Sequence, residues 1–101
     1  MNRREAVESA VRILAPRITR HEFEAVTDHA LLSRGLRTAS VEAAAWLSLV
    51  AFIRHRLTDY ESLLDEGYDV DSARFFVLDD LNAVLAAWGC RRRVDNEENE
   101  P

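Results

Sequence analysis

The sequence predicts an all-α fold, a compact bundle of about five helices, on three observations. Capping-type residues stand ahead of apolar runs at helical spacing, glycines stand where those runs stop, and no stretch alternates with the β-branched enrichment of a strand. The expected architecture is one helical domain over 1–90, with a central hydrophobic helix at about 41–56 and a C-terminal helical hairpin at about 59–88. Residues 91–101 read as a basic-then-acidic disordered tail.

The elements follow in order. Asn2 with Glu5 forms a capping box ahead of Ala6, Val7, Ala10, Val11 and Leu14, and Pro16 ends that helix near Ala15. Thr19 with Glu22 opens a second helix, whose apolar face is Phe23, Val26, Thr27, Ala30 and Leu31. Gly35 then stands where a left-handed C-terminal residue is wanted. Ser40 caps a third helix containing "AAAWLSLVAFI", apolar nearly all round, which belongs in the middle of a protein or in an oligomer interface. Thr58 and Glu61 suggest a further capping box, opening a short helix that Gly67 ends. Asp69 or Asp71 caps the last helix, with Phe75, Phe76, Leu78, Leu81, Leu85 and Trp88 expected inward and Gly89 as its stop.

Composition narrows the function. The 101 residues include 13 basic and 18 acidic side chains, a formal charge of -5, so generic nucleic-acid binding is disfavoured. Every basic residue is arginine, which excludes lysine Schiff-base chemistry and lysine-dependent phosphate loops. The lone Cys90 excludes an intramolecular disulfide and a multi-cysteine metal site. The start lacks a signal-peptide core, and the longest nearly apolar run, Ala43 to Ile53, falls well short of the ~20 residues a membrane span needs. A cytoplasmic location, no membrane partner, no metal and no cofactor are expected.

The stretch from Arg54 to Arg74 carries the pattern RHxxTDYxxLLxxGYDxxxAR: Arg54, His55, Thr58, Asp59, Tyr60, Leu63, Leu64, Gly67, Tyr68, Asp69, Ala73 and Arg74. On these residues, with Val84-Leu85 and Trp88-Gly89, the chain resembles an uncharacterised bacterial family, a domain of unknown function. The resemblance covers Val41 to Arg93 well and the N-terminal part loosely. Such sequences often carry Asp after the first tyrosine and Arg near position 70, where this one has Glu61 and Val70. The resemblance implies an architecture and a motif, with no activity, cofactor or partner. The rhythm of "LLDEGYDVDSA" is also similar to ubiquitin-associated-type three-helix modules, through a glycine stop and an aromatic over the loop.

The candidate functional surface is Arg54, His55, Arg56, Asp59, Tyr60, Tyr68 and Arg74. His55 could be a general base oriented by Asp59, or the centre of an anion site with its arginine neighbours. The same residues also suit a helix end, where cations complement the dipole and Thr58 caps the next helix. Arg74 can pair with Asp71, Asp69 or Asp59. His21, Glu22, Glu24, Asp28 and His29 read as a solvated face, because His21 and His29 do not share a helix side. No catalytic residue is assigned, and catalysis is not expected. The function expected is protein–protein contact by a small non-catalytic domain, with self-association into a homodimer favoured by the 48% hydrophobic content. The alternative is a nucleic-acid-associated module using Arg54–Arg56 and Arg91, Arg92 and Arg93.

Overall fold

Four of the five helices open on a side-chain cap, and two close on a glycine. The computed structural model describes residues 1–95. It contains α1 (Arg3–Leu14), α2 (Arg20–Leu32), α3 (Val41–Leu57), α4 (Tyr60–Asp65) and α5 (Val70–Ala87), with no strand among the described residues. The Asn2–Glu5 capping box is formed, the Glu5 N–H donating to Asn2 Oδ1 at 2.8 Å. Thr19 caps α2 by accepting from the Glu22 N–H and donating its hydroxyl to the Glu22 carboxylate at 2.6 Å. Ser40 accepts from Ala43 N–H and opens α3.

Glycine stops two helices and not the third. Gly67 (φ +102°) and Gly89 (φ +84°) follow α4 and α5 in the left-handed region. At each, the two N–H groups after the helix fold back on its last carbonyls: Gly67 on Leu64 and Tyr68 on Leu63, Gly89 on Ala86 and Cys90 on Leu85. Gly35 departs from expectation, since its φ is not positive. The extended Ser33 ends α2 instead, and its carbonyl accepts from Leu36 and Arg37, so no left-handed residue is required. The Arg3 guanidinium holds the loop that follows by donating to Leu36 O and Ala39 O.

The apolar helix α3 is central: α1, α2, α4 and α5 all pack against it. Its Ala44, Ala45, Trp46, Leu49, Val50 and Ile53 are buried against Val7 and Val11 of α1, Phe23, Val26 and Ala30 of α2, and Leu81 and Leu85 of α5. A smaller cluster of Tyr60, Ala73 and Val77, with Leu63 and Leu64 against it, joins α4 to α5. No helix among the described residues is long and apolar enough to cross a membrane.

Two placements differ from the sequence expectation. Phe75 and Phe76 are not inward but 59% and 57% exposed. The apolar positions of α5 exceed what one face can hold, and burial goes to the row Ala73, Val77, Leu81, Leu85 and Trp88 that faces α3 and α4. Residues 91–95, assigned to the tail from sequence, lie against the body. Asn82 accepts from the Val94 N–H and donates to the Val94 carbonyl, both at 2.8 Å, and Val94 is buried. Arg92 stacks its guanidinium 4.0 Å from the centre of the Trp46 ring. The rest of the expected tail, 96–101, lies outside the described residues.

The end of α5 is also tied to the α1–α2 corner. Arg17 N–H donates to Trp88 O at 2.9 Å, and its side chain reaches Ala87 O and Ala86 O. A Cβ on Gly89 would sit 2.9 Å from Pro16 Cγ, on top of its left-handed backbone. Gly89→Ala is therefore expected to cost about 1–3 kcal/mol in urea unfolding. Gly35→Ala, with nothing near its Cβ, should be neutral or gain up to about 1 kcal/mol. Similar losses at both positions would contradict this account of the helix stops.

The cap of α5 is Asp69, not Asp71: its carboxylate accepts from the Ser72 N–H at 2.7 Å. That backbone bond, helped by the Ser72 side chain, holds the Asp69 carboxyl below the usual carboxylate range. With the folded pKa below the unfolded one, the stabilisation is present above the unfolded value and lost as pH falls through the folded one. Asp69→Asn retains a capping oxygen, so its Tm should follow the wild type at neutral pH and fall less steeply below about pH 4. Asp69→Ala should lower Tm already at neutral pH. An acid profile for Asp69→Asn that parallels the wild type would remove Asp69 from the acid response.

Candidate functional site at the corner of the third and fourth helices

The chain turns from α3 into α4 through Leu57, Thr58 and Asp59, and Thr58 makes the turn. Its hydroxyl donates to the Arg54 carbonyl, an acceptor left over at the end of α3, and accepts from the Tyr60 N–H at 3.2 Å, a donor left over at the start of α4. The expected Thr58–Glu61 capping box is not formed. The N-cap position falls on Asp59, which makes no side-chain cap bond, and Glu61 turns back to His55.

His55 Nδ1 bonds Glu61 Oε1, so Glu61 and not Asp59 orients this ring. A carboxylate only accepts, which places the proton on Nδ1 and leaves Nε2 of the neutral ring with a free lone pair. The ring also meets Tyr60 edge-on, with centroids 5.1 Å apart. Both side chains of the pair are about half exposed, 47% and 56%, so the ion pair formed on protonation contributes only about 0–1 kcal/mol.

The other members of the predicted surface point in different directions. Arg54 turns inward and is only 8% exposed, with its guanidinium 5.9 Å from the Tyr60 ring centre. Burial is the main influence lowering the Arg54 pKa, the nearby Arg74 guanidinium adds to it, and Tyr60 opposes it. Tyr60 is buried in the α4–α5 cluster. Asp59 is exposed, and Arg56 lies over the Phe52 ring at 5.6 Å. Tyr68 is exposed on the far side of α4, edge-on to Phe76 at 5.4 Å. Asp69, one candidate partner of Arg74, commits an oxygen to the α5 cap.

His55 and Arg56 do line a groove of about 280 Å³ between α2 and α3, with Ala25, His29, Ala51 and Phe52. His29, read from sequence as part of a solvated face, bonds Ser48 Oγ through Nδ1 at 2.9 Å. Ser48 spends its only proton on the Val26 carbonyl at 2.7 Å, so His29 must donate. The groove thus carries two imidazoles with fixed tautomers. His29 is level with Ser48, two turns along α3 from His55, or roughly 10 Å, too far for one small ligand atom to touch both. No group of three or more His, Cys, Asp or Glu side chains is placed to hold a metal among the described residues. A larger concavity of about 660 Å³ lies by Arg12, Pro16 and Phe23, away from every predicted site residue.

Sequence spacing pointed to Asp59 because it lies one helical turn beyond His55, but the corner breaks the helix between them. Glu61 was visible only as a capping residue. The energetic order at this corner is testable by thermal or urea unfolding. Tyr60→Ala should cost about 3–5 kcal/mol and Thr58→Ala about 0.5–2 kcal/mol. His55→Ala and Glu61→Ala should each cost under about 1 kcal/mol. A His55→Ala loss as large as that of Tyr60→Ala would show that His55 is structurally essential.

No curated protein and no solved structure matches the chain. The model of one family, described as "Uncharacterized conserved protein (DUF2293)", matches residues 10–89. That span takes in α2 to α5 and the last five residues of α1; it reaches well N-terminal of Val41, where the sequence resemblance was loose, and ends just short of Arg93. The chain belongs to this uncharacterised conserved family.

Proposed function

We propose that this is a non-catalytic protein-interaction domain whose docking surface is the outer face of α5. The supporting observation is the pair Phe75 and Phe76, more than half exposed and in edge-on contact at 5.9 Å. Tyr68 and Val70 beside them are also exposed. Two large aromatics facing water on the rim of a small domain are the usual mark of a binding surface. Among the helices described, only α3 and α4 pack against α5, which leaves its outer face without a partner helix.

The corner at His55 supports catalysis less well, because the groove's two imidazoles lie apart and Tyr60 is buried in the α4–α5 cluster. The nucleic-acid alternative draws on exposed Arg91 and Arg93 beside the Arg92–Trp46 stack. Arg54, however, is buried, and the Arg56 and Arg92 guanidinium groups rest on the rings of Phe52 and Trp46 at different levels of α3. Self-association has other exposed apolar side chains to use, namely Ile13, Leu32 and Leu47.

The test is a photoreactive benzophenone residue at position 76, compared with one at exposed Arg37 at the other end of the fold. Irradiation in cells should give discrete adducts with another protein from position 76 only, and Phe75→Ser with Phe76→Ser should leave Tm within about 3 °C of wild type. Equal or absent labelling from both positions would refute the docking surface. Light scattering of the double variant reports self-association separately: a dimer that persists uses another surface.

A further inference from the structure

Resting on that docking surface, we infer that its partner is a basic amphipathic helix, and not a second copy of this chain. The outer face of α5 has a definite order along its length. Phe75 and Phe76 form one end, Asp79 and Asp80 stand one turn on, and exposed Ala83, Ala86 and Ala87 form the other end. At spacings of three and four these positions stack into adjoining rows on one side of the helix. The aromatic end supplies apolar area and the alanine end lets another backbone come close. Between them lie the exposed carboxylates of Asp79 and Asp80.

The rim adds to the negative charge. Glu66 and Asp71 are exposed next to Tyr68 and Val70; the basic groups by the face are Arg74, half-buried near Arg54, and Arg17, whose guanidinium is committed to the Ala86 and Ala87 carbonyls at the alanine end. Residues 96–101 add three glutamates and no arginine, so the chain's own end does not complement this surface in charge.

A second copy fits the order badly. An antiparallel twofold contact that seats the aromatic end of one copy on the alanine end of the other passes its axis near Asp79 and Asp80. Four carboxylates then meet at the centre of the interface. A parallel twofold contact also sets Asp79 and Asp80 against their own mates. Like charges facing each other in a desolvated interface oppose association strongly. A helix with Arg or Lys midway along its contact stripe and apolar side chains at both ends meets each part of the face with its complement.

The experiment uses the full chain and two labelled synthetic peptides with the same leucine and alanine stripe, one carrying arginines in mid-stripe and one glutamates. Fluorescence anisotropy should show binding of the arginine peptide only. Asp79→Asn with Asp80→Asn should weaken that binding at least about fivefold, and so should a rise in salt from about 50 to about 300 mM. Phe75→Ser with Phe76→Ser should abolish it. Equal binding of the glutamate peptide, or no effect of the asparagine variants, overturns the basic partner while leaving the docking surface standing. Binding of neither peptide overturns this inference too, and the position 76 adducts then decide the docking surface on their own. A stable dimer that the Phe75→Ser, Phe76→Ser chain cannot form would identify the occupant as a second copy and also overturn it.

Discussion

The burial of most of α3 is the constraint on which the rest of the fold depends. Its apolar residues run nearly all round the helix, so water must be excluded from most of its surface, and each of the other helices covers one sector while Leu47 stays exposed. Leu49 and Ile53, with no exposed surface, are each worth about 1.5–3 kcal/mol by burial, more than any surface ion pair in the chain. Surface pairs such as Arg4–Asp28 and Arg20–Glu24 decorate this arrangement and do not determine it.

A helix so largely buried must also satisfy whatever polar groups it carries inward, and this sets several contacts elsewhere. Ser48 lies fully inside and resolves its hydroxyl through the Val26 carbonyl and His29, which fixes α2 in register on α3 and fixes the tautomer of His29. Arg54, one turn from the end of α3, is also inside. Its charge is tolerated next to the Tyr60 ring, while its carbonyl is taken up by Thr58. The end of α5 shows the same logic with different groups. Its last carbonyls are met by Gly89, Cys90 and Arg17, and Asn82 satisfies the returning backbone at Val94.

Sequence reasoning was strongest where the physics is local. Asn2, Thr19 and Ser40 act within one turn of themselves, and Gly67 and Gly89 report a backbone angle, so these ends were legible residue by residue. It was weakest where the outcome depends on what lies opposite. Phe75 and Phe76 fit an apolar stripe on α5, yet only α3 and α4 are available to cover that helix, and the row led by Ala73 and Val77 takes that space. Glu61 could have capped α4 or reached His55, and the break at Thr58 decided for His55. Asn82 and Val94 stand twelve positions apart with no periodic relation, so their pairing left no signal in the sequence.

The contrast between the motif and the two phenylalanines is what separates architecture from function here. From Arg54 to Asp69 most motif residues have a task inside the chain: Thr58 joins two helix ends, Tyr60 fills the α4–α5 cluster with Leu63 and Leu64 against it, Gly67 adopts a positive φ, and Asp69 caps α5. Ala73 is fully buried with Tyr60 and Val77 where α4 packs on α5. Such residues need no ligand to account for them. Among the described residues, Phe76 meets the rings of Phe75 and Tyr68, and more than half of each phenylalanine stays in water. A chain that buries alanine at position 73 and exposes phenylalanine at 75 and 76 does not optimise its own core at those two sites. The demand that accounts for them comes from outside the chain, which is why the function is sought on α5 and not at the histidine corner.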